Sequence, residues 1–400
     1  LKTLGESHAT REKGIQYSIL SLIALSILMS DWMFGLVAVS EILIGLLVLL
    51  IGLTDLSCVK SINYRFFIGT LLFFVLQFSY NLSVDMTFIF NRALFNVVKV
   101  FAYLFFINIT YNYIRVNKLE KQFLVMLNIA ALITILIGIY ITLAILYFDH
   151  LPYEFLWSFT RSDLHSYRFR GPGFIVRTRS IFSEPAHMGY FLNMVIGVNV
   201  FSNLREKVPV WVNIVLIIGT ILTLSYASIF VLSIILLFKL ITLDNKYQRI
   251  KESKVFFLLS LIILAAVIYM FRDNLYQTVI VRTSDIISGG DNSAFVRLIN
   301  SWLYVSRDTL LMGRGLGHTP PLQNVYAYFL SDMGIIPFGV ILIFTAYLFK
   351  LNRGLGLTFV LLNFQKGGYL SPIFSILVLI LLIFSIEQSN YHRYTLKGEK

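Results

Sequence analysis

Charged side chains are scarce in this chain. They make up 14% of 400 residues, where soluble globular chains carry about 25%. Hydrophobic residues make up 57%, and apolar runs of about 20 residues recur along the chain. That balance excludes an ordinary soluble domain and points to a chain that sits in lipid, where helices satisfy their own backbone. Cysteine is almost missing. The single Cys58 permits no intramolecular disulfide and no cysteine cluster for a metal, and it reads as a bystander near a helix end. Acidic residues are the minority charge, 21 against 33 basic ones, for a net +12. In a membrane protein such an excess marks loops at the anionic cytoplasmic leaflet, and nucleic acid is not expected as a partner. No cleavable leader is expected, because the first apolar run, 15–34, is long enough to span and lacks a small-residue cleavage site.

What is present is a series of spans. They are expected at 15–34, 36–53, 66–82, 93–113, 122–147, 185–203, 209–224, 226–242, 255–271, 326–349 and 370–387. Very tight turns join the pairs around Gly35 and Tyr226. The apolar stretch Gly354–Phe364 is short, and stands either as a re-entrant piece or as part of a twelfth span. The expected fold class is all-α: a polytopic integral membrane protein of about 11–12 transmembrane helices, with residues 1–400 as one transmembrane domain. Lys2, Lys13, Lys60, Lys118, Lys121, Lys207, Lys246, Lys251, Lys254, Lys350 and Lys366 fall on one side if every span crosses once. The positive-inside rule makes that side cytoplasmic, with the N-terminus on it. The C-terminal tail, with Arg393, Lys397 and Lys400, then falls outside, against the rule.

Two large loops are expected on the outer side, 148–184 and 272–325. The first carries Arg161, Arg168, Arg170, Arg177 and Arg179; the second carries Arg272, Arg282, Arg297, Arg307 and Arg314. Neither contains a lysine. Charge alone would admit lysine, whereas arginine adds a planar fork of donors that matches phosphate or carboxylate at two points. One reading is an anion site at the outer face, with a lipid diphosphate as the anion that suits a membrane protein. The structural alternative pairs these arginines with Glu154, Asp163, Asp285, Asp291 and Asp308 as solvated salt bridges.

The second loop holds an amphipathic helix candidate over 292–311. Arg297, Asn300, Ser301, Tyr304 and Asp308 form one polar stripe, which faces either a cavity or simply water. Gly313-Arg314-Gly315-Leu316-Gly317-His318 follows. Its glycines read as an N–H nest for an anion or as a flexible turn. The first loop ends in Arg177-Thr178-Arg179, then Ser183-Glu184-Pro185, with His187 one turn on. Glu184 is either a helix-start residue or a carboxylate that accepts a proton from a sugar hydroxyl. His187 is either a structural hydrogen-bonder or a site residue. There is no HExxH, no DxD in the outer loops and no Walker motif, so neither a metal, nor another cofactor, nor ATP is expected.

The stretch Arg179-Ser-Ile-Phe-Ser-Glu184-Pro resembles the R-S-x-F-x-E-P segment of O-antigen and capsular polysaccharide polymerases. Arg297 to Trp302, the Gly313–Gly317 turn, and Gln323-Asn324 running into a helix with Gly334 resemble their second signature, which O-antigen ligases share. The likeness covers mainly 175–340. It implies a GT-C-like membrane glycosyltransferase of the bacterial inner membrane, with its active face periplasmic. The implied substrate is an undecaprenyl-diphosphate-linked oligosaccharide among the membrane lipids, and a chain-length regulator protein is an implied partner. By residue match, Arg179 and Arg297 would hold the diphosphate, assisted by Arg314. Arg170, Arg177, His187, Tyr304, Gln323 and Asn324 would contact diphosphate or glycan. Glu184 stands first as acceptor base and His318 second. The ligases carry histidine where this chain has Gln323, which favours polymerase over ligase. A transporter or flippase for the same lipid is the reading from another class; it would require interrupted helices and charges deep inside spans.

Overall fold

The computed structural model describes residues 2–35, 37–60, 63–148, 150–160, 176–204, 208–242 and 299–386. The predicted span 255–271 lies outside them. Helices α1 (Lys2–Leu28) and α2 (Val39–Thr54) are joined by a small antiparallel hairpin, β1 (Met33–Phe34) with β2 (Val37–Ala38). Gly35, at φ 62°, makes the tight turn expected there. Then come α3 (Leu56–Lys60), α4 (Tyr64–Val84), α5 (Phe90–Val116), α6 (Glu120–Tyr147), α7 (Pro185–Phe201), α8 (Val210–Leu222) and α9 (Tyr226–Ile241). After the undescribed stretch follow the short α10 (Ser301–Leu303), α11 (Val325–Met333), α12 (Ile335–Leu351), α13 (Arg353–Gln365) and α14 (Pro372–Ser385). Among the described residues α4, α5 and α6 are long and apolar enough to cross a membrane, and five further apolar helices are shorter.

Local chemistry sets these boundaries. Asn63, Asn324 and Asn352 cap α4, α11 and α13 by accepting backbone N–H groups. Pro185 and Pro372 start α7 and α14, where a missing N–H costs nothing. Helix α7 is apolar almost all round and sits at the centre, packed on α6, α8, α9 and α13. Gly189 and Gly197 let Ser228 of α9 and Thr358 of α13 come against its backbone.

The bundle has two ends. At one, Arg115 donates to the carbonyls of Ile383 and Ile386 and pairs with Glu120 at 3.2 Å. Asn203 and Asn352 join the ends of α7, α12 and α14 there. At the other end lie the α1–α2 hairpin, the segment before α7, and the α13–α14 connection. Trp32 donates to the Ile181 carbonyl at 3.0 Å, and Lys366 reaches Asp31 at 3.4 Å.

Three expectations are corrected. First, Lys366 does not share an end with Lys118 and Lys121, which lie beside the Arg115–Glu120 pair. The short stretch Gly354–Phe364 is a through-running helix, α13, and α14 then returns to the Arg115 end. Leu355, Phe359 and Leu362 are buried against the bundle, which supplies the apolar contact that a short polar-flanked helix would otherwise need from lipid. Second, the amphipathic helix expected over 292–311 does not continue past Leu303, and its part before residue 299 lies outside the described residues. Asp308 and Thr309 lie in a turn and Ser306 just before it, where short polar side chains compete for backbone partners; Ser306 and Thr309 bond each other at 2.8 Å. Third, the span expected over 326–349 is broken at Gly334, whose φ of 82° suits only glycine.

Candidate functional site

The segment before α7 is held rigidly. Ser180 adopts φ 52°, rare for a side-chain-bearing residue, and is buried. Trp157 donates to its carbonyl at 2.7 Å. Arg179 is 1% exposed, the largest fully buried side chain described. Its guanidinium lies 3.6 Å from the Trp157 ring centroid, and Nη1 donates to the Ser183 carbonyl at 2.8 Å. A buried guanidinium is retained only with such partners, because desolvation is costly.

One turn on, four side chains converge. Asp31 Oδ2 accepts the Ser183 N–H at 3.0 Å and the Ser183 hydroxyl at 2.8 Å. His187 Nδ1 lies 2.7 Å from the same oxygen and 2.8 Å from Ser183 Oγ. A carboxylate only accepts, so Nδ1 carries a proton and donates it, and the ring is held by that side. Lys366 Nζ stands 3.4 Å from Asp31 Oδ1. Asp31 follows the end of α1, in the turn to α2. Burial alone would raise its pKa; His187, Lys366 and the Ser183 hydrogen bonds overcome that and hold it well below the usual carboxylate range. Glu184 is exposed at the start of α7, and its backbone carbonyl accepts the His187 N–H at 3.0 Å.

The glycine turn is closed by the protein itself. Gly313, Gly315 and Gly317 all have positive φ. The N–H groups of Gly317 and Thr319 both donate at 2.8 Å to the Asp332 carboxylate, and Tyr369 donates its hydroxyl to it at 2.8 Å. Arg314 and Gly315 donate their backbone N–H groups to the carbonyls of Ser331 and Asp332, which the break at Gly334 leaves open. The nest is thus filled by the chain's own Asp332 carboxyl group.

His318 stacks on Phe88 with ring centroids 4.7 Å apart, and its Nε2 accepts the Ile89 N–H at 2.8 Å. The lone pair a base would use is therefore engaged at the start of α5. Asp85 lies close by; hydrogen bonds from Thr87 lower its pKa, helped by His318 and Arg314. Asn324 is buried and caps α11 through Tyr326 and Ala327. Gln323 is exposed, and its backbone packs on Gly367, the neighbour of Lys366. Tyr304 is half-buried, with its carbonyl accepting the Ser331 hydroxyl at 3.2 Å. Arg177 is half-buried and Arg307 exposed.

Arg179 and His187 are therefore linked through Ser183, with Glu184 exposed between them at the start of α7, while the Gln323 backbone packs on Gly367 in the α13–α14 connection beside Lys366. His318, Arg314 and Asn324 belong to a second cluster around Asp332. Arg170 and Arg297 lie outside the described residues, as do Arg161, Arg168, Arg272, Arg282, Asp163, Asp285 and Asp291. Sequence reasoning missed Asp31 and misplaced Lys366. Asp31 falls inside the span expected over 15–34, where nothing nearby in sequence marks its partners. Among the described residues no three His, Cys, Asp or Glu side chains gather as a metal would need. Compared with models of known protein families, with curated proteins and with solved structures, the chain matches none.

Proposed function

We propose that this chain is a polytopic membrane glycosyltransferase that polymerises undecaprenyl-diphosphate-linked oligosaccharide repeat units into O-antigen or capsular polysaccharide. The reaction takes place at the outer face of a bacterial inner membrane. A sugar hydroxyl on one lipid-linked unit displaces the lipid diphosphate from the anomeric carbon of another, with inversion. Arg179, with Arg297, neutralises charge on the departing diphosphate, a kind of electrostatic aid that often supplies the largest catalytic term. The observation that carries the reading is a buried arginine one helical turn from a histidine–carboxylate pair, all at one end of the bundle. Cation and proton acceptor together suit a transfer that releases an anion and consumes a hydroxyl.

The charges inside the spans also fit an enzyme at one face. Glu41 pairs with Lys99 at 2.8 Å and accepts from Tyr103, while Asp332 is filled by the glycine turn and Tyr369. Each is committed to an internal partner rather than to a path across the membrane. One observation favours the transporter reading, the helix break at Gly334, since interrupted helices build transport sites. Its open carbonyls at Ser331 and Asp332, however, are already taken by the backbone N–H groups of Arg314 and Gly315.

The test is turnover by the purified chain in liposomes, given only lipid-linked repeat units extracted from the source cells, with no nucleotide sugar and no added metal. A ladder of lipid-linked oligomers is the expected result. Transfer only after a lipid A core acceptor is added would make it a ligase. Lipid movement between leaflets without any transfer would make it a flippase.

A further inference from the structure

The α1–α2 turn carries a group that the loop motifs do not contain. Asp31 touches His187 across 156 residues of sequence and Lys366 across 335. Three donors, the Ser183 N–H, the Ser183 hydroxyl and His187 Nδ1, meet one carboxylate oxygen, and an ammonium meets the other. Four segments of the chain thus fix one imidazole: the α1–α2 turn, the approach to α7, α7 itself and the α13–α14 connection. The ring is held by its Nδ1 side. Among the described residues no group takes its Nε2, and the side chain is 24% exposed. A purely structural clasp between hairpin and helix has no need of a ring nitrogen left open at its outer edge.

We infer that the Asp31–His187 pair is the proton acceptor of the transfer step, with His187 Nε2 taking the proton of the acceptor hydroxyl. This rests on the glycosyl-transfer reading above. As the hydroxyl oxygen bonds to the anomeric carbon, its proton passes to Nε2. The bond from that carbon to the diphosphate oxygen breaks, and the electron pair leaves with the diphosphate. The imidazolium that forms is stabilised by Asp31, and it later gives its proton to water. His187 is the catalytic residue. Asp31 is a positioning residue that fixes the tautomer and the ring, and Lys366 and Ser183 hold Asp31 ionised and in place. This assigns the role first expected of Glu184, which stands exposed at the helix start, to the neighbour one turn further on.

The experiment compares wild type, His187→Gln, His187→Ala, Asp31→Asn and Glu184→Gln in liposomes, with the same extracted lipid-linked repeat units. Binding of undecaprenyl diphosphate is measured alongside. His187→Gln is expected to lose about 100-fold or more in kcat, the usual range for a general base, with diphosphate-lipid binding within about twofold of wild type. Asp31→Asn is expected to lose about tenfold or more in kcat with KM little changed. Added imidazole is expected to restore part of the turnover of His187→Ala, which a merely structural role would not allow. A wild-type ladder together with substantial turnover in His187→Gln would overturn this inference alone. So would retained turnover in His187→Gln with loss in Glu184→Gln, which would hand the proton to Glu184. Should the histidine variants fold poorly, full kcat in a well-folded Asp31→Asn also overturns it. No ladder from wild type overturns the transfer reading itself, and this inference with it.

Discussion

Lys366 and Asp31 bring their charges within 3.4 Å of each other across almost the whole chain. The contact fixes the direction of α13, which must run from the Asn352 end of the bundle to the end that carries the hairpin. It also sends α14 back, so that Ile386 finishes beside Arg115.

That topology predicts a labelling pattern. With Cys58 replaced by serine, a single cysteine is placed at Gly368 in one variant and at the exposed Ser57 in another. A membrane-impermeant maleimide is expected to reach Gly368→Cys in intact spheroplasts and Ser57→Cys only after permeabilisation. Equal labelling of both from one side would mean that α13 does not cross.

Much of this architecture was legible in hydropathy. The spans expected at 66–82, 93–113 and 122–147 lie within α4, α5 and α6, because lipid-facing length is written as an uninterrupted apolar run. Helix α13 was not legible in that way. Asn352, Arg353, Gly354, Gly356, Asn363 and Gln365 dilute it, and it is stabilised by protein neighbours rather than by lipid. The Arg179–His187 segment could be found from its motif. Asp31 could not, because nothing in the residues around it names a partner so far away. The glycine turn shows the same limit. Its glycines left open an N–H nest or a flexible turn, and a run of glycines does not say that the chain's own Asp332 carboxyl group fills it.

The Arg179 arrangement predicts that charge alone will not suffice. Lysine at 179 keeps the cation but loses the planar face over Trp157 and the fork of donors. Arg179→Lys is expected to cost about 2–4 kcal/mol in the barrier, roughly thirty-fold or more in turnover. Arg297→Lys is expected to follow it. Full activity of both lysine variants in the oligomer-ladder assay would remove the two-point contact with phosphate.

The Asp332 nest predicts a loss of stability rather than of lipid affinity. Removing the carboxylate strands two buried N–H groups and the Tyr369 hydroxyl, each worth about 1–3 kcal/mol when left unsatisfied. Asp332→Ala should therefore lower the unfolding midpoint in detergent sharply, and Asp332→Asn less, since one acceptor oxygen remains. Gly317→Ala should also destabilise, because its φ of 73° is strained for alanine and a methyl would meet Asn96. A normal midpoint for Asp332→Ala with weakened binding of undecaprenyl diphosphate would return the nest to the substrate.

The buried Asp31 predicts how stability depends on pH. Despite burial, which acts to raise it, its pKa is held well below the usual range by His187, Lys366 and Ser183. The sign follows from linkage. A group depressed on folding contributes fully above its unfolded value, about 3.9, and the contribution falls away only as pH drops through the lower folded value. Wild type should therefore exceed Asp31→Asn by roughly 2–4 kcal/mol at neutral pH, the cost of leaving an imidazole and a largely buried lysine without their anion. The Asp31 contribution to this gap should persist down to about pH 4 and be lost below it, as Asp31 takes up its proton and comes to resemble asparagine. Unfolding midpoints of both proteins in the same detergent across that range measure the gap directly. A gap that closes well above the ordinary carboxylate range would show that Asp31 is not ionised against Lys366, and the cluster would lose the anion that orients His187.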